Sequence, residues 1–177
     1  MNRNLIDRAF SALAIESVYL GNSRVHCREG GFLQFLDEEI TLIPQYKSGP
    51  MGQLVSITAN EASAEPSSTF ILLNFAAGVR LVDGEALAAA EDGGSLPEEA
   101  QYLEIEAEFM ARYRLNPAAD LEAERPAIEE FGRYNLGYHV WPYWREFVQS
   151  TCARMGIPPI PVPMYQIPQH ITTDASE

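Results

Sequence analysis

The chain has 177 residues and a formal net charge of −13 at pH 7, from 25 acidic and 12 basic side chains. This length suits one domain with a substantial core, and an acidic surface repels phosphate, so the composition argues against a nucleic-acid partner and favours a basic one. No apolar run reaches the roughly 18 residues that a membrane-spanning helix needs. We expect one domain at 1–163 and a short flexible tail at 164–177.

The N-terminal residues MNRNLIDRAFSALAIESV lack the apolar centre of a secretory signal, which favours a cytoplasmic protein. Cys27 and Cys152 are isolated thiols, too few for a disulfide framework and without zinc-site spacing, so we expect them to be reduced. His26 precedes Cys27, but neighbours on a strand point to opposite faces and cannot easily share a proton. Phosphate-binding glycine loops and serine elbows are also absent. We therefore predict a protein that is not an enzyme, with no catalytic residue, no metal site and no cofactor.

Three segments rich in β-branched and aromatic residues are predicted strands: 13–27, 38–47 and 68–82. Segment 53–59 is a candidate fifth strand at an edge of the sheet. The connector after the first strand breaks at two glycines and continues at once with four apolar side chains: Phe32, Leu33, Phe35 and Leu36. Apolar residues in a connector need a surface to cover them, so we expect this connector to contact a partner.

Residues 101–115, QYLEIEAEFMARYRL, place apolar side chains at odd positions and mostly polar ones at even positions. A period of two predicts a long strand with one buried and one wet face, and such strands belong to antiparallel sheets that are open to water on one side. The wet face carries three carboxylates in a row: Glu104, Glu106 and Glu108. They form either a solvated surface or a site for proton transfer, a cation or a partner.

The segment from Asp83 to Glu130 concentrates the negative charge, with 14 acidic residues and only three arginines. In most proteins such a stretch is a solvated surface that maintains solubility. The alternative function is an interaction module, in which this acidic surface docks one basic folded partner. Binding of that kind would be abolished by moderate salt, because exposed charge pairs are screened.

After Pro117 the period changes to that of helices. PAADLEAERPAIEEFGRYNLG predicts a short helix near its end, with Pro126 in the first turn. From His139 onward apolar side chains recur at spacings of three and four and predict a long helix with Pro142 in its first turn: Val140, Trp144, Phe147, Thr151 and Met155. Gly156 ends this helix, and the prolines of IPPIPVPMYQIP keep the following chain extended.

The C-terminal half resembles the export chaperone SecB and its relatives. LEIEAEFMARYRL resembles the last strand of that family, and FGRYNLGYHVWPYWREFVQSTCARMGIPPIPV resembles its helix and the short extended segment that follows. Within the second stretch, WPYWRE stands where the family carries a hydrophobic residue, Pro-Tyr, a variable residue, Arg and Glu. The similarity covers residues 101–163, and the N-terminal half matches only in its order of strands and its apolar connector.

The resemblance implies an α+β fold in which a four-stranded antiparallel sheet packs on one long C-terminal helix, assembled as a homotetramer that is a dimer of dimers. It also implies a cytoplasmic, ATP-independent holdase that binds non-native polypeptides in apolar grooves between sheet and helix. The clients would be unfolded preproteins, which the family passes to the motor SecA for export, or an antitoxin. The client-binding residues would then be Phe32, Leu33, Phe35, Tyr138 and Trp141, whereas Trp144 and Phe147 are expected in core or interface packing.

Two departures from the family pattern concern the motor and the tail. SecB contacts the motor through acidic residues on its first and last strands, and alignment by strand order places Asn22 and His26 at the first-strand positions. Glu106 occupies the last-strand position, so the acidic face of Glu104, Glu106 and Glu108 is an incomplete match for motor binding. The family's further helix after the proline segment is replaced by MYQIPQHITTDASE. This shortened form resembles the SecB-like chaperones of toxin-antitoxin systems.

Overall fold

The computed structural model describes residues 1–30, 33–35, 40–59, 68–90 and 96–166. Its centre is a four-stranded antiparallel sheet in the order β1-β4-β3-β2. The strands are β1 (Leu13–Cys27), β2 (Leu42–Ala59), β3 (Ser68–Asp83) and β4 (Gln101–Leu115). The predicted α+β class and antiparallel sheet are confirmed, and the bounds of β1, β3 and β4 agree with the prediction to within one residue.

β4 lies between β1 and β3, and its alternation decides which face of the sheet is buried. Beyond Tyr102, its odd-numbered side chains are buried and its even-numbered ones are not. Because residues paired across an antiparallel sheet share a face, β3 buries the partners of the odd-numbered set: Phe75 lies opposite Phe109, and Ile71 opposite Tyr113. One face is therefore core and the other is wet, as the alternation predicts.

β2 joins two segments that the sequence pattern separates. One strand, β2, contains residues 42–47 of the predicted strand 38–47 together with the predicted strand 53–59. It pairs with β3 along its length and has a register shift between Met51 and Leu54. SGPMG interrupts the β pattern at this point in the sequence, but the continuous partner strand holds both halves in line and a bulge absorbs the extra residues. The candidate fifth strand is therefore the second half of β2.

Two helices follow β4: α3 (Leu121–Tyr134) and α4 (Leu136–Met155), separated by Asn135 alone. The Asp120 side chain caps α3 by accepting a hydrogen bond from the Glu122 amide. α4 contacts all four strands on the buried face of the sheet. Its largest buried side chains include Leu136, Val140, Trp141 and Trp144. No helix among the described residues is both long enough and apolar enough to cross a membrane.

The expected positions of the two prolines are wrong. Pro126 and Pro142 lie inside α3 and α4 rather than in their first turns, because each helix begins about one turn earlier than the apolar pattern indicates. Both prolines are exposed, so the carbonyl that loses its helical donor can bond to water instead. The helix end is confirmed: Gly156 has a φ of 67°, and its amide reaches the carbonyls of Cys152 and Ala153.

The N-terminal helix α1 (Arg3–Ala12), which the sequence analysis does not predict, precedes β1 and packs on α3. The Asn2 side chain caps it by accepting a hydrogen bond from the Leu5 amide. Phe10 meets Phe131 of α3 edge to face, with ring centroids 5.5 Å apart. The signal was present in the sequence, as a capping asparagine followed by buried residues at intervals of three: Ile6, Ala9 and Ala12. A short α2 (Gly84–Ala89) follows β3.

Substitutions of Trp144 test how α4 is held to the sheet. Its side chain is fully buried, and its indole N–H has no hydrogen-bond partner among the described residues. Trp144→Ala should lower the free energy of unfolding by about 3–5 kcal/mol, measured by urea denaturation. Trp144→Phe should cost clearly less, because it removes an unpaired donor together with part of the apolar surface. Equal losses for the two variants would contradict this account of the core.

Candidate functional site

An open furrow runs between the β2–β3 side of the sheet and the helices α3 and α4. The cavity within it measures about 600 Å³. Its apolar lining comes from both layers: Pro50, Met51, Leu73, Ile128 and Leu136. Charged side chains of α3 complete the lining: Arg125, Glu129 and Arg133. Apolar walls bordered by a few charged groups suit an extended chain segment with apolar side chains.

Small residues keep the furrow open. Gly52 on β2 and Gly132 on α3 both line it without contributing a side chain. A Cβ placed on Gly132 would lie 3.7 Å from the Leu73 side chain, so α3 approaches β3 closely at this point. The glycines therefore let the two layers converge while leaving the space between them unfilled.

Farther along α4, the space between helix and sheet is filled by the chain itself. The filling is residues 157–166, called here the C-terminal segment, which are neither helix nor strand. The Tyr46 hydroxyl donates a hydrogen bond of 2.6 Å to the Pro161 carbonyl. The Trp141 indole N–H donates one of 2.7 Å to the Pro163 carbonyl. Three apolar side chains of the segment are buried: Ile157, Ile160 and Val162.

Tyr165 is the last residue of the C-terminal segment whose packing contacts are described. Its ring lies against Trp141, with centroids 5.2 Å apart, and against the edge of Phe75 at 6.3 Å. The ring also covers Gly137 so closely that a Cβ at that position would overlap it. Burial raises the pKa of the Tyr165 phenol. Tyr165 falls in the stretch 164–177 that we expected to be a flexible tail, and the residues after 166 lie outside the described part of the chain.

The predicted client-binding residues that the structure describes lie at different places on α4 or beside it. Tyr138 is 66% exposed, whereas Trp141 is 8% exposed beneath the C-terminal segment. Leu33 packs on the core, and the neighbouring Gln34 donates a hydrogen bond to the Met155 carbonyl at the far end of α4, about 20 Å from Trp141 along the helix. Phe32 lies outside the described residues, and for Phe35 only the backbone is described. The structure therefore does not bring Leu33 and Trp141 to one place.

The wet face of the sheet carries a network of two acids and two cations. From β1, the Arg24 guanidinium lies 2.6 Å from the Glu104 carboxylate and 2.8 Å from that of Glu106. From β2, the Lys47 ammonium contacts Glu106 and lies 3.5 Å from Glu104. Gly78 on β3 leaves room for the lysine stem, because a Cβ there would lie 2.7 Å from Lys47 Cε. The network spans the sheet from one edge strand to the other.

This pairing satisfies two of the three carboxylates that the sequence analysis proposes as an acidic docking face. Hydrogen bonding from Lys47 holds the pKa of Glu106 below its ordinary value, and the same hydrogen bond raises the pKa of Lys47. Glu108 is exposed, and within the described part of the chain it forms no ion pair. Motor binding through Glu104, Glu106 and Glu108 stays a prediction, with only Glu108 presenting an uncompensated charge.

The opposite end of the wet face is aromatic and cationic. The Arg112 guanidinium lies over the rings of Phe70 and Tyr19, at 5.0 Å and 5.9 Å from their centroids. Glu16 on β1 accepts from Arg112 at 3.0 Å and also contacts Arg114. The sequence pattern identifies these positions as wet but does not reveal that the two ends of the face differ, because that depends on which residues meet across strands.

The described residues hold no group of three or more His, Cys, Asp or Glu side chains that could bind a metal ion. The buried Tyr113 hydroxyl lies 2.8 Å from Nδ1 of His139. Burial lowers the pKa of His139 and raises that of Tyr113. Both rings pack on Phe131, so the pair joins the start of α4 to β4 and lies away from the furrow lining.

Comparison of the sequence with protein-family models and with the curated proteins finds no match. Solved structures do match. The Rv1957 SecB-like chaperone of Mycobacterium tuberculosis, solved in complex with a ChAD peptide from the Rv1956 HigA1 antitoxin, shares 12% sequence identity with this chain. The match covers 94% of this chain and 99% of that chain, with a TM-score of 0.58. The predicted SecB-like fold is confirmed, and an identity this low establishes the fold alone.

The charge network predicts how stability depends on pH. The lowered pKa of Glu106 means that its ion pairs stabilise the folded state above the ordinary value of 4.5 and that this contribution is lost as the pH falls through the lower folded value. Glu106→Gln should therefore lose less stability than the unmodified protein between about pH 6 and about pH 3, measured by urea unfolding. Glu108→Gln, the control on the same face, should leave the profile unchanged. Identical profiles for Glu106→Gln and the unmodified protein would contradict the network.

Proposed function

We propose that this chain is an ATP-independent chaperone, a holdase that binds non-native polypeptide in the furrow beside α4. The observation that carries the proposal is the furrow: both of its walls contribute apolar side chains, and farther along α4 a non-helical segment of the same chain packs between helix and sheet. A client segment would meet the same kind of surface. The similar fold of the mycobacterial SecB-like chaperone, which was solved with an antitoxin peptide, supports a polypeptide partner.

The size of the furrow implies weak binding at a single site. A client segment that buries roughly 400 Å² of apolar surface gains on the order of 10 kcal/mol at about 25 cal/mol per Å². Association and ordering consume about 4–15 kcal/mol of that gain. A client can therefore leave one furrow without a chemical energy source. Several linked furrows that bind one long chain would raise the effective affinity by ~100-fold or more.

Oligomerisation would supply those linked furrows. We propose a homotetramer, a dimer of dimers, with β1 as a contact strand. β1 is an edge strand whose core-side face exposes Leu20 and Val25. Exposed apolar edges favour pairing with another chain. The other edge, β2, carries Pro44, Pro50 and a register shift, and these features block the addition of a strand.

The partner we propose is an unfolded preprotein or an antitoxin, in the cytoplasm. Transfer of clients to SecA for export is a finer proposal, and the internal pairing of Glu104 and Glu106 weakens it because these carboxylates are already compensated. The alternative function, docking of a basic folded protein on the acidic surface, meets the same difficulty on this face. The furrow does not depend on those charges, so polypeptide binding is the function that the geometry supports best.

Holdase activity can be measured directly. The purified protein in excess should suppress the light scattering of a chemically unfolded, aggregation-prone protein, and Met51→Glu should weaken suppression by roughly threefold or more because it places a charge in the apolar lining. Ile43→Glu is the matched control: both residues are on β2, with Met51 40% and Ile43 37% exposed, but Ile43 lies outside the furrow. Absence of suppression by the unmodified protein would refute the proposal.

The assembly gives a separate prediction. Light-scattering mass determination should give about 79 kDa, four times the monomer mass of 19.7 kDa. Leu20→Lys combined with Val25→Lys should reduce the mass, because two charges would replace the apolar edge contact. Ile57→Lys, at an exposed position on the other edge strand, should leave it unchanged. A monomeric unmodified protein would count against the tetramer.

A further inference from the structure

The C-terminal segment has the contacts of a bound ligand rather than of an ordinary loop. An indole N–H from Trp141 and a hydroxyl from Tyr46 each hold one carbonyl of a proline-rich chain. Grooves that recognise proline-rich peptides use aromatic side chains in this way, because prolines fix the backbone before binding and leave its carbonyls free to accept hydrogen bonds. Residues 157–166 thus pack between α4 and the sheet as a bound peptide would.

Tyr165 packs on residues that lie next to the lining of the open cavity. Gly137, which the Tyr165 ring covers, follows Leu136 in α4. Phe75, which the ring also contacts, is the next residue after Leu73 on the core face of β3. Leu136 and Leu73 both line the open cavity. The Tyr165 ring therefore lies beside residues that neighbour the cavity lining in α4 and β3.

The segment is held unevenly along its length. Its first part is anchored by three buried side chains, Ile157, Ile160 and Val162. After Val162 the described contacts are the Trp141 hydrogen bond, the packing of Tyr165, and a contact between Arg145 and Met164, which is itself exposed. A part with few buried contacts opens at lower cost than the rest of the structure. Residues 163–166 can therefore leave the furrow while 157–162 remain in place.

We propose that Tyr165 is a displaceable plug, and that the furrow takes an extended, proline-containing polypeptide whose aromatic side chain replaces Tyr165 against Gly137, Trp141 and Phe75. The proposal rests on the chaperone function proposed above and adds the chemistry of the client segment and the part of this chain that competes with it. The arrangement requires glycine at position 137, because any larger residue would collide with an aromatic ring in this position. Ring packing on Trp141 favours an aromatic over an aliphatic side chain here.

With the plug in place, only the molecules that are open can bind a client. The apparent affinity is therefore the intrinsic affinity multiplied by the open fraction. Removing the plug by Tyr165→Ser should therefore tighten binding by roughly tenfold. Gly137→Ala should give no such gain, because its Cβ would exclude the client's ring as well as that of Tyr165. The probe is a reduced and alkylated, permanently unfolded protein with a fluorophore, and binding is followed by anisotropy. Met164→Ser, an exposed neighbour in the same segment, is the control and should bind as the unmodified protein does. Trp141 should also emit at longer wavelength in both plug variants, because its indole becomes exposed.

The double variant separates the plug from a general effect on the furrow. In the Gly137→Ala background, adding Tyr165→Ser should give no gain in affinity, because the client's ring has no room at the position that Tyr165 leaves. Unchanged or weaker binding by Tyr165→Ser, in a protein whose unmodified form binds the probe, would overturn the plug and leave the chaperone proposal standing. Failure of the unmodified protein and of every variant to bind would instead remove the proposed function itself. Because Tyr165→Ser alters only a partly buried side chain, it keeps the test available even if Gly137→Ala does not fold.

Discussion

The rest of the structure depends on a mismatch of widths between one helix and one sheet. The outer strands of a four-stranded sheet are about 15 Å apart, and the strands here are long, whereas a helix with its side chains is about 10–12 Å across. α4 therefore cannot cover the whole apolar face. α3 and the C-terminal segment cover part of the remainder. The part of the chain that the structure describes leaves the open furrow on the β2 side and the apolar edge of β1 uncovered.

The strands could be predicted because their signal is local. The alternation of β4 fixes its face, its bounds and the antiparallel class within one stretch of sequence. Helix starts were predicted less well, because the apolar pattern reports where a helix is packed and not where its backbone begins. Pro126 and Pro142 are typical of a first helical turn, but at exposed positions a proline is also tolerated inside a helix. α1 was missed because its buried side includes small alanines, which give a weak apolar signal.

The candidate site was less predictable because it consists of contacts between distant segments. Arg24 and Glu106 are 82 residues apart in the sequence and meet only through the register of β1 against β4. The acidic stripe was therefore predicted as a charged surface when it is largely compensated. Trp141 is a predicted client-binding residue, and its burial beneath Pro163 and Tyr165 depends on the path of the C-terminal segment. No local pattern encodes that path, although Gly137, a glycine within a helix, is the residue that could have indicated a close approach.

A furrow that binds non-native chains meets two opposing requirements. It must present apolar surface to a client, and exposed apolar patches also promote self-association. The C-terminal segment buries apolar surface beside the furrow. Under the proposed function its short length would let a longer client displace it by binding several furrows at once. The prolines of the segment make this covering inexpensive in conformational entropy, since their backbone is restricted before it packs. The prolines that keep the chain extended after Gly156 thus also suit residues 157–166 to pack beside α4.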